Sequence, residues 1–325
     1  MKRSKKVWLP MVLVLVLCMT MIVPQAGAAR RFVSIAAGWV TGAYFPMAGA
    51  ISRIAWKHLK EDGIKVTAES SGASVANAKL IGAGDTDLAI LQNDIASYAY
   101  AGKSDMFDAP IKNLLGACTL FPEHVQLIAR KDSNIKSPGD LKGKKVAIGP
   151  VGSGTAENAK QILEAWGLSV ADLARAEQLT AAQSADYIKD GRLDAAFFTV
   201  AVGAAVIMDT SLIVPTDVVP IAGANVDKLI KAYPFYAKQI VPGGTYKGND
   251  TDVATVSVMA MLAARADLED DIVYKILNAM YSDLDQLKQA HDKFKDISME
   301  DGLVGMSIPL HPGAKKYFTE KGVMK

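Results

Sequence analysis

Residues 64–92 read IKVTAESSGASVANAKLIGAGDTDLAILQ, and this stretch contains the pattern that predicts the fold. Residues 64–68 are rich in β-branched side chains and predict a strand. A Ser- and Gly-rich turn at residues 70–74 follows, and it begins an amphipathic helix that we expect to run through Ile81. The apolar run that ends at Gln92 predicts another strand. This order of elements favours a parallel strand pair with a crossover helix.

The second half of the chain repeats this order over residues 174–199. Gly191 takes the place of Gly84 and Asp194 takes the place of Asp87, in each case just before an apolar run. A further strand with a glycine turn precedes each copy. Both halves therefore follow the order β-α-β-α-β, which predicts the α/β class, with one parallel sheet per half covered by helices on both faces.

Two hydroxyl-rich glycine turns, residues 70–74 (SSGAS) and 152–155 (GSGT), lead from strands into helices. The first N–H groups of a helix have no partner within it, and the helix dipole places partial positive charge there. Such turns can hold a carboxylate or a phosphate without Lys or Arg. The alternative is that Ser74 and Thr155 are only ordinary N-caps. We expect Thr155 to be both the N-cap of its helix and a donor to the ligand. The matching positions of the two turns favour an anion-binding site.

Ligands of parallel α/β sheets bind outside the carboxyl ends of the strands, where this chain carries small neutral side chains. An amino-acid ligand would also need an acceptor for its ammonium group, for which Glu69 and Asp94 are nearest, unless both face solvent. Tyr44 and Phe198 either wall the pocket or belong to the core. The predicted ligand-binding residues are Thr41, Tyr44, Ser71, Gly72, Ala73, Ser74, Gln92, Asn93, Ser153, Gly154, Thr155, Phe198 and Thr199.

The chain is predicted to cross twice between its halves. Residues 125–129 form an apolar strand that leads into the second half, and residues 253–264 form the returning strand. We therefore assign residues 29–130 plus 253–325 to domain I and residues 131–252 to domain II. Two crossings allow the domains to close about a hinge while they resist shear.

The first 28 residues have the three parts of an export signal. Four basic residues come first, residues 7–23 are almost entirely apolar, and residues 26–28 (AGA) supply a small-residue cleavage site. We expect cleavage near Ala28 and a periplasmic mature protein that starts at Ala29, with a start at Arg30 as the alternative.

Charge and cysteine content narrow the classes of function. Loss of the four basic residues of the signal lowers the Lys and Arg count from 36 to 32, against 34 Asp and Glu. A near-neutral chain without a basic cluster is untypical of nucleic-acid binding. Cys18 would leave with the signal, so Cys118 has no disulfide partner and is expected to be a small buried side chain. No later stretch reaches the roughly 20 apolar residues of a membrane helix, and we expect a soluble mature chain of two ordinary domains.

Five ordered blocks of the chain resemble the extracytoplasmic solute receptors of the TAXI group of TRAP transporters. The blocks are residues 71–75 with 87–94, residues 141–146 with 152–155, residues 190–198, residues 241–246 and residues 308–314. The resemblance covers essentially the whole mature chain. It departs from the pattern at residues 39–46, where a glycine-richer loop is expected, and at Ala73, where Gly is expected.

The resemblance implies a type II periplasmic binding protein, with two α/β domains joined by two crossing strands and a ligand cleft between them. Such a receptor closes around a small organic acid, which is a glutamate-like amino acid, a dicarboxylate or a 2-oxo acid. It then delivers the acid to the membrane subunits of a TRAP permease. We further expect a monomer with no enzymatic activity and no cofactor or metal.

Two other functions stay open. A sensor component that captures the same ligand for signalling would share the fold and the pocket. A periplasmic α/β enzyme is less favoured because the sequence has no Gly-x-Ser-x-Gly turn, and its four His residues lie far apart. Residues 149–155 also lack the Lys of a phosphate-binding P-loop, and the sequence shows no His-x-x-x-His or Cys-x-x-Cys metal spacing.

Overall fold

The computed structural model describes residues 31–40, 42–102, 106–291, 294–295 and 297–324. The predicted export signal, residues 1–28 with the cleavage position near Ala28, lies outside the described residues. The predicted site residue Thr41 lies outside them as well.

The strands of the described chain form one mixed ten-stranded sheet. They are β1 (Arg31–Ala36), β2 (Ile64–Glu69), β3 (Leu88–Gln92), β4 (Leu114–Arg130), β5 (Lys145–Ala147), β6 (Arg175–Glu177), β7 (Ala195–Val200), β8 (Thr216–Val219), β9 (Ala237–Val241) and β10 (Val253–Arg265). Their order across the sheet is β2-β1-β3-β10-β4-β7-β5-β6, while β8 pairs with β4 and β9 pairs with β10. The strands β1, β2 and β3 are parallel, and so are β5, β6 and β7.

This single sheet corrects the prediction of two separate sheets. Strands β4 and β10 are 17 and 13 residues long, and they pair antiparallel from Val256 opposite Val125 to Arg265 opposite Leu114. The ladder of hydrogen bonds continues from β10 to β3 on one side and from β4 to β7 on the other. The α/β class and the two crossing strands are confirmed, but the crossing predicted at residues 125–129 is only the last part of β4.

Helices cover both faces of the sheet. They are α1 (Tyr44–Leu59), α2 (Ser74–Ala83), α3 (Asn93–Ala101), α4 (Gly154–Ala165), α5 (Ala181–Lys189), α6 (Ala205–Ile213), α7 (Ala224–Ala232), α8 (Asp270–Ser282), α9 (Leu284–Gln289) and α10 (Pro312–Glu320). Apolar residues three or four positions apart decide which side of each helix is buried. In α1, for example, Met47, Ile51 and Ile54 are fully buried.

The first half of the fold consists of β1, β2 and β3 with the helices around them, and it includes α8 and α10 from the end of the chain. Its core lies on both faces of these three strands. One face packs against α1, α8 and α10 through residues such as Ile51, Ile276 and Phe318, and the other packs against α2 and α3. The second half repeats the arrangement around β5 and β7. Strand β4 contributes Phe121 to the first half and Leu127 to the second. Both crossing strands are therefore part of the cores on either side.

Asn77 on α2 fixes the spacing between this helix and the sheet below it. Its amide nitrogen donates to the carbonyl oxygens of Ala37, at 2.7 Å, and Ile90, at 2.6 Å, and its amide oxygen accepts from the Ser71 hydroxyl at 2.5 Å. The side chain is fully buried. Buried polar groups are costly unless paired, so these bonds hold the glycine turn over the ends of β1 and β3.

We expect the Asn77→Leu variant to lower the free energy of unfolding by about 2–4 kcal/mol, because two buried carbonyl groups lose their donor. Urea unfolding followed by circular dichroism measures the change. Asn225→Leu on α7 is the control, because Asn225 accepts its bond from the exposed Lys228, and the loss there should be below about 0.5 kcal/mol. Equal losses in the two variants would show that Asn77 does not fix the turn.

Candidate functional site

A cavity of about 100 Å³ lies where the carboxyl ends of strands from both halves meet. Since one water molecule needs roughly 10–15 Å³ of such a cavity volume, the cavity has room for roughly seven to ten water-sized groups. It therefore fits a small metabolite and not a polymer. The lining residues are Gly38, Trp39, Gly42, Ala43, Tyr44, Ala73, Ser74, Gln92, Glu123, Gly149, Pro150, Ser153, Gly154, Thr155, Leu179, Thr180, Ala181, Phe197, Phe198, Thr199 and Val200.

Four helices begin at this cavity. The first residues of α1, α2, α4 and α5 are Tyr44, Ser74, Gly154 and Ala181, and each of them lines it. The amino ends of these helices bring backbone N–H groups and partial positive charge to one point, from both halves of the chain. An anionic group bound here would be stabilised without a cationic side chain.

The turn before α2 contains a strained residue. Ala73 has φ 68° and ψ −152°, a region that only glycine enters readily. This is the position where the resemblance calls for Gly. The alternative that Ser74 is an N-cap is wrong, because Ala73 is the N-cap and the Ser74 hydroxyl accepts from the backbone N–H of Gln92 at 3.1 Å. The reason is that the backbone already turns at residue 73, which makes Ser74 the first helical residue.

The turn before α4 is capped by Ser153. The Ser153 hydroxyl accepts from the Ala156 N–H at 3.2 Å and donates to the Pro150 carbonyl at 2.7 Å. The N-cap prediction for Thr155 is therefore wrong, because Thr155 is the second residue of the helix. Thr155 lines the cavity, and within the described part of the chain its hydroxyl makes no hydrogen bond. A ligand can use that hydroxyl without breaking the cap.

Gln92 and Gly154 bring the two halves together at the cavity. A Cβ atom added to Gly154 would lie 1.6 Å from Oε1 of Gln92, so a side chain there would push the two apart. Gln92 is 3% exposed, and its Oε1 atom has no hydrogen-bond partner among the described residues. Because buried polar atoms are normally paired, this oxygen is available to a ligand donor.

Glu123 on β4 lines the cavity and is not among the residues predicted from the sequence. It is 5% exposed and lines the cavity, and its Oε2 atom accepts from the Tyr44 hydroxyl at 2.6 Å. Burial, together with the charge of Glu123, holds the pKa of Tyr44 well above its usual range, so the phenol keeps its proton and donates. The available signal was a charged residue inside the apolar run of β4, since a buried charge must be paired or reach a ligand.

The other predicted residues divide between the cavity and its surroundings. Phe198 and Thr199 line the cavity at the end of β7. Ser71 and Gly72 do not line it, and Ser71 instead bonds Asn77. Asn93 does not line it either, because its amide group binds backbone atoms of Gly305, Asp94 and Met259.

The carboxylates considered as ammonium acceptors are placed elsewhere. Glu69 ends β2 and is exposed. Asp94 is completely buried and accepts from the Asn158 amide at 2.8 Å. Glu123 is therefore the carboxylate among the described residues that reaches the cavity.

No Lys, Arg or His is found among the described residues that line the cavity. Arg130 pairs with Asp132 at 2.8 Å, Arg265 pairs with Asp87 at 3.1 Å, and Arg192 stacks on a tyrosine ring. Within the described ranges, no group of three or more His, Cys, Asp or Glu could hold a metal ion. Nor does any helix there have the length and apolar composition needed to span a membrane.

We expect Ala73→Gly to raise the free energy of unfolding by about 1 kcal/mol, because relief of the strained backbone exceeds the entropy that glycine loses on folding. Thermal or urea unfolding measures this change. The control Ala76→Gly, inside α2, should lower the free energy by up to about 1 kcal/mol. Destabilisation in both variants would show that residue 73 is not strained.

Comparison with known proteins agrees with the fold. PhnD1 from Prochlorococcus marinus, solved in complex with methylphosphonate, is 12% identical, with 90% of this chain and 96% of that chain covered and a TM-score of 0.53. The periplasmic aliphatic sulphonate binding protein SsuA from Escherichia coli is 15% identical, with 90% and 79% covered and a TM-score of 0.48. A probable amino-acid ABC transporter extracellular-binding protein from Bacillus subtilis is 16% identical, with 82% and 98% covered and a TM-score of 0.48.

At these sequence identities the likeness concerns the fold alone. The similarity to PhnD1 supports the assignment of the fold. The predicted two-domain binding-protein fold is thereby confirmed. A family model described as NMT1-like matches residues 35–322, which is most of the chain. The protein belongs to the NMT1-like family.

Proposed function

We propose that this protein is a periplasmic solute receptor that captures a small organic acid by closing its two halves around it. The observation that carries the proposal is the convergence of four helix amino ends from both halves on one small cavity. Carboxylate groups would bind these ends, with the Thr155 hydroxyl as a further donor. A receptor of this kind needs no reaction, and no His or Cys accompanies the hydroxyls among the described lining residues.

We favour a glutamate-like amino acid over a dicarboxylate or a 2-oxo acid. The Glu123 carboxylate and the Oε1 atom of Gln92 are hydrogen-bond acceptors in a cavity that otherwise suits an anion. An α-ammonium group would donate to both of them, whereas a ligand with carboxylates alone would bring its negative charge close to the Glu123 carboxylate. The phosphonate bound by the structural neighbour PhnD1 is a second candidate ligand class, and it lacks a cationic group for Glu123.

We expect Glu123→Gln to weaken glutamate binding by roughly 10- to 100-fold, because a charge-assisted hydrogen bond is lost. 2-Oxoglutarate has the same carbon skeleton without the ammonium group, and its affinity should stay the same or improve. Isothermal titration of both acids and of methylphosphonate measures these affinities. Glu69→Gln removes an exposed carboxylate and is the control, with no change expected for any ligand. Unchanged glutamate binding in Glu123→Gln would overturn the assignment of Glu123.

The proposed partner is a TRAP permease, and the support is the resemblance of five sequence blocks to TAXI receptors. The named neighbours of this fold include a component of an ABC transporter, so the two energy sources have to be distinguished. Uptake into vesicles that contain the permease should require an ion gradient and continue without ATP. Uptake that instead depends on ATP hydrolysis would assign the protein to an ABC system.

Closure can be measured with labels at Val40 and Val151, which flank the cavity from the two halves and are 62% and 73% exposed. Cysteine variants at these positions would be labelled selectively, because burial raises the pKa of Cys118 to about 12 and keeps it unreactive. The mean distance between the labels should shorten when glutamate is added. The fraction of closed protein rises because the ligand binds the closed state more tightly than the open state. Tight binding without shortening would favour the sensor alternative.

A further inference from the structure

A buried hydrogen bond joins the two halves behind the cavity. Asp94, near the start of α3, accepts from the amide nitrogen of Asn158 on α4 at 2.8 Å. Asp94 and Asn158 are both 0% exposed. The same Asn158 nitrogen group donates to the Tyr236 hydroxyl at 2.7 Å, and Tyr236 donates to Gln161 at 2.6 Å. All of these partners except Asp94 belong to the second half of the chain.

The network reaches the cavity through Thr199. The Thr199 hydroxyl donates to the amide oxygen of Asn158 at 2.9 Å, and Thr199 lines the cavity. Asn158 therefore uses its oxygen to orient a cavity residue and its nitrogen to bind the other half of the chain. A shift of Asp94 away from Asn158 would leave Tyr236 as the remaining partner of that nitrogen and loosen the side chain that orients Thr199.

The surroundings of Asp94 make this bond sensitive to protons. Burial, the largest cause, raises the pKa of Asp94 to about 7, although bonds from Asn158 and from the Ile95 N–H lower it. The groups that face it are Glu157 on α4, Tyr98 on α3, and Tyr236 and Tyr44. Glu157 adds negative charge, and burial raises the pKa of each of the three tyrosines, so they stay neutral at ordinary pH.

We propose that Asp94 and Asn158 form a proton-dependent latch, which closes the two halves around the ligand and positions Thr199 at the cavity. The inference rests on the proposed closure of the receptor. When the halves separate, Asp94 loses Asn158 and gains water, so its pKa returns toward the ordinary value of a carboxyl group. Closing the protein then takes up a proton at any pH between the two pKa values.

The sign of the effect follows from this linkage. Between the two pKa values closure must take up a proton, at a cost that grows with pH, whereas above pH 7 closure must bury the charge, at a cost that no longer changes with pH. Ligand affinity should therefore fall as the pH rises through 7, by about tenfold between pH 6 and pH 8. Glutamate itself does not titrate between pH 6 and pH 8, since the pKa values of its carboxyl groups lie below this range and the pKa of its ammonium group lies above it.

The test compares glutamate dissociation constants at pH 6 and pH 8 in the wild type, Asp94→Asn and Asp132→Asn. The wild type should bind about tenfold more weakly at pH 8, and Asp94→Asn should show no such difference. Asp132 is an exposed carboxylate paired with Arg130, so Asp132→Asn should keep the wild-type difference. A merely structural Asp94 would change stability without removing the pH dependence. A wild-type pH difference that persists in Asp94→Asn would overturn the latch.

A second measurement does not depend on the identity of the ligand. In the ligand-free protein labelled at Val40 and Val151, the fraction at short distance should be larger at pH 6 than at pH 8. Asn158→Ala removes a bond that lowers the pKa of Asp94 without touching its charge, so it should move the midpoint of this response to higher pH, and it can be measured even where Asp94→Asn folds poorly. A distance response without glutamate binding would uphold the latch and reject the ligand. Absence of pH dependence in both measurements would overturn the latch.

Discussion

The antiparallel pairing of β4 with β10 is the interaction on which the rest of the molecule depends. Both strands are long enough to enter the cores of both halves, so each half is anchored to the same two backbone segments. Glu123 lies on β4 between Phe121, which packs in the first core, and Val125, which packs in the second. The carboxylate at the cavity therefore lies on a strand that belongs to the cores of both halves.

The site balances charge with little use of ionic pairs. Four helix amino ends supply partial positive charge, and Glu123 supplies one negative charge that the Tyr44 hydroxyl stabilises. A helix terminus and a hydroxyl are fixed by the backbone that carries them, so they lose less freedom on binding than a long basic side chain would. The ion pairs of Arg130 and Arg265 involve no residue that lines the cavity, so their charges do not compete there with the helix dipoles.

The sequence predicted those strands, turns and helices that depend mainly on interactions between residues close together in the chain. The strand, glycine turn and helix of residues 64–92 form as expected, and many of the small rim residues predicted from strand ends line the cavity. The N-cap positions were wrong by one or two residues because they depend on backbone angles, and the turn before Ser74 places Ala73 at a positive φ. Glu123 and Asn158 were missed because their partners, Tyr44 and Asp94, lie 79 and 64 residues away in sequence. A single sequence contains no record of such distant contacts.

The core of the first half has a consequence for how the chain matures. Its sheet face is covered by α1 from the beginning of the sequence and by α8 and α10 from the end, with Ile276, Tyr317 and Phe318 deep inside. During vectorial synthesis the strands β1 to β3 emerge long before these covering helices exist. That apolar face stays incompletely covered until the last helix arrives, so the core of the first half cannot be completed before the end of the chain has been made. A product cut short before α8 leaves exposed the apolar residues that α8 and α10 would cover.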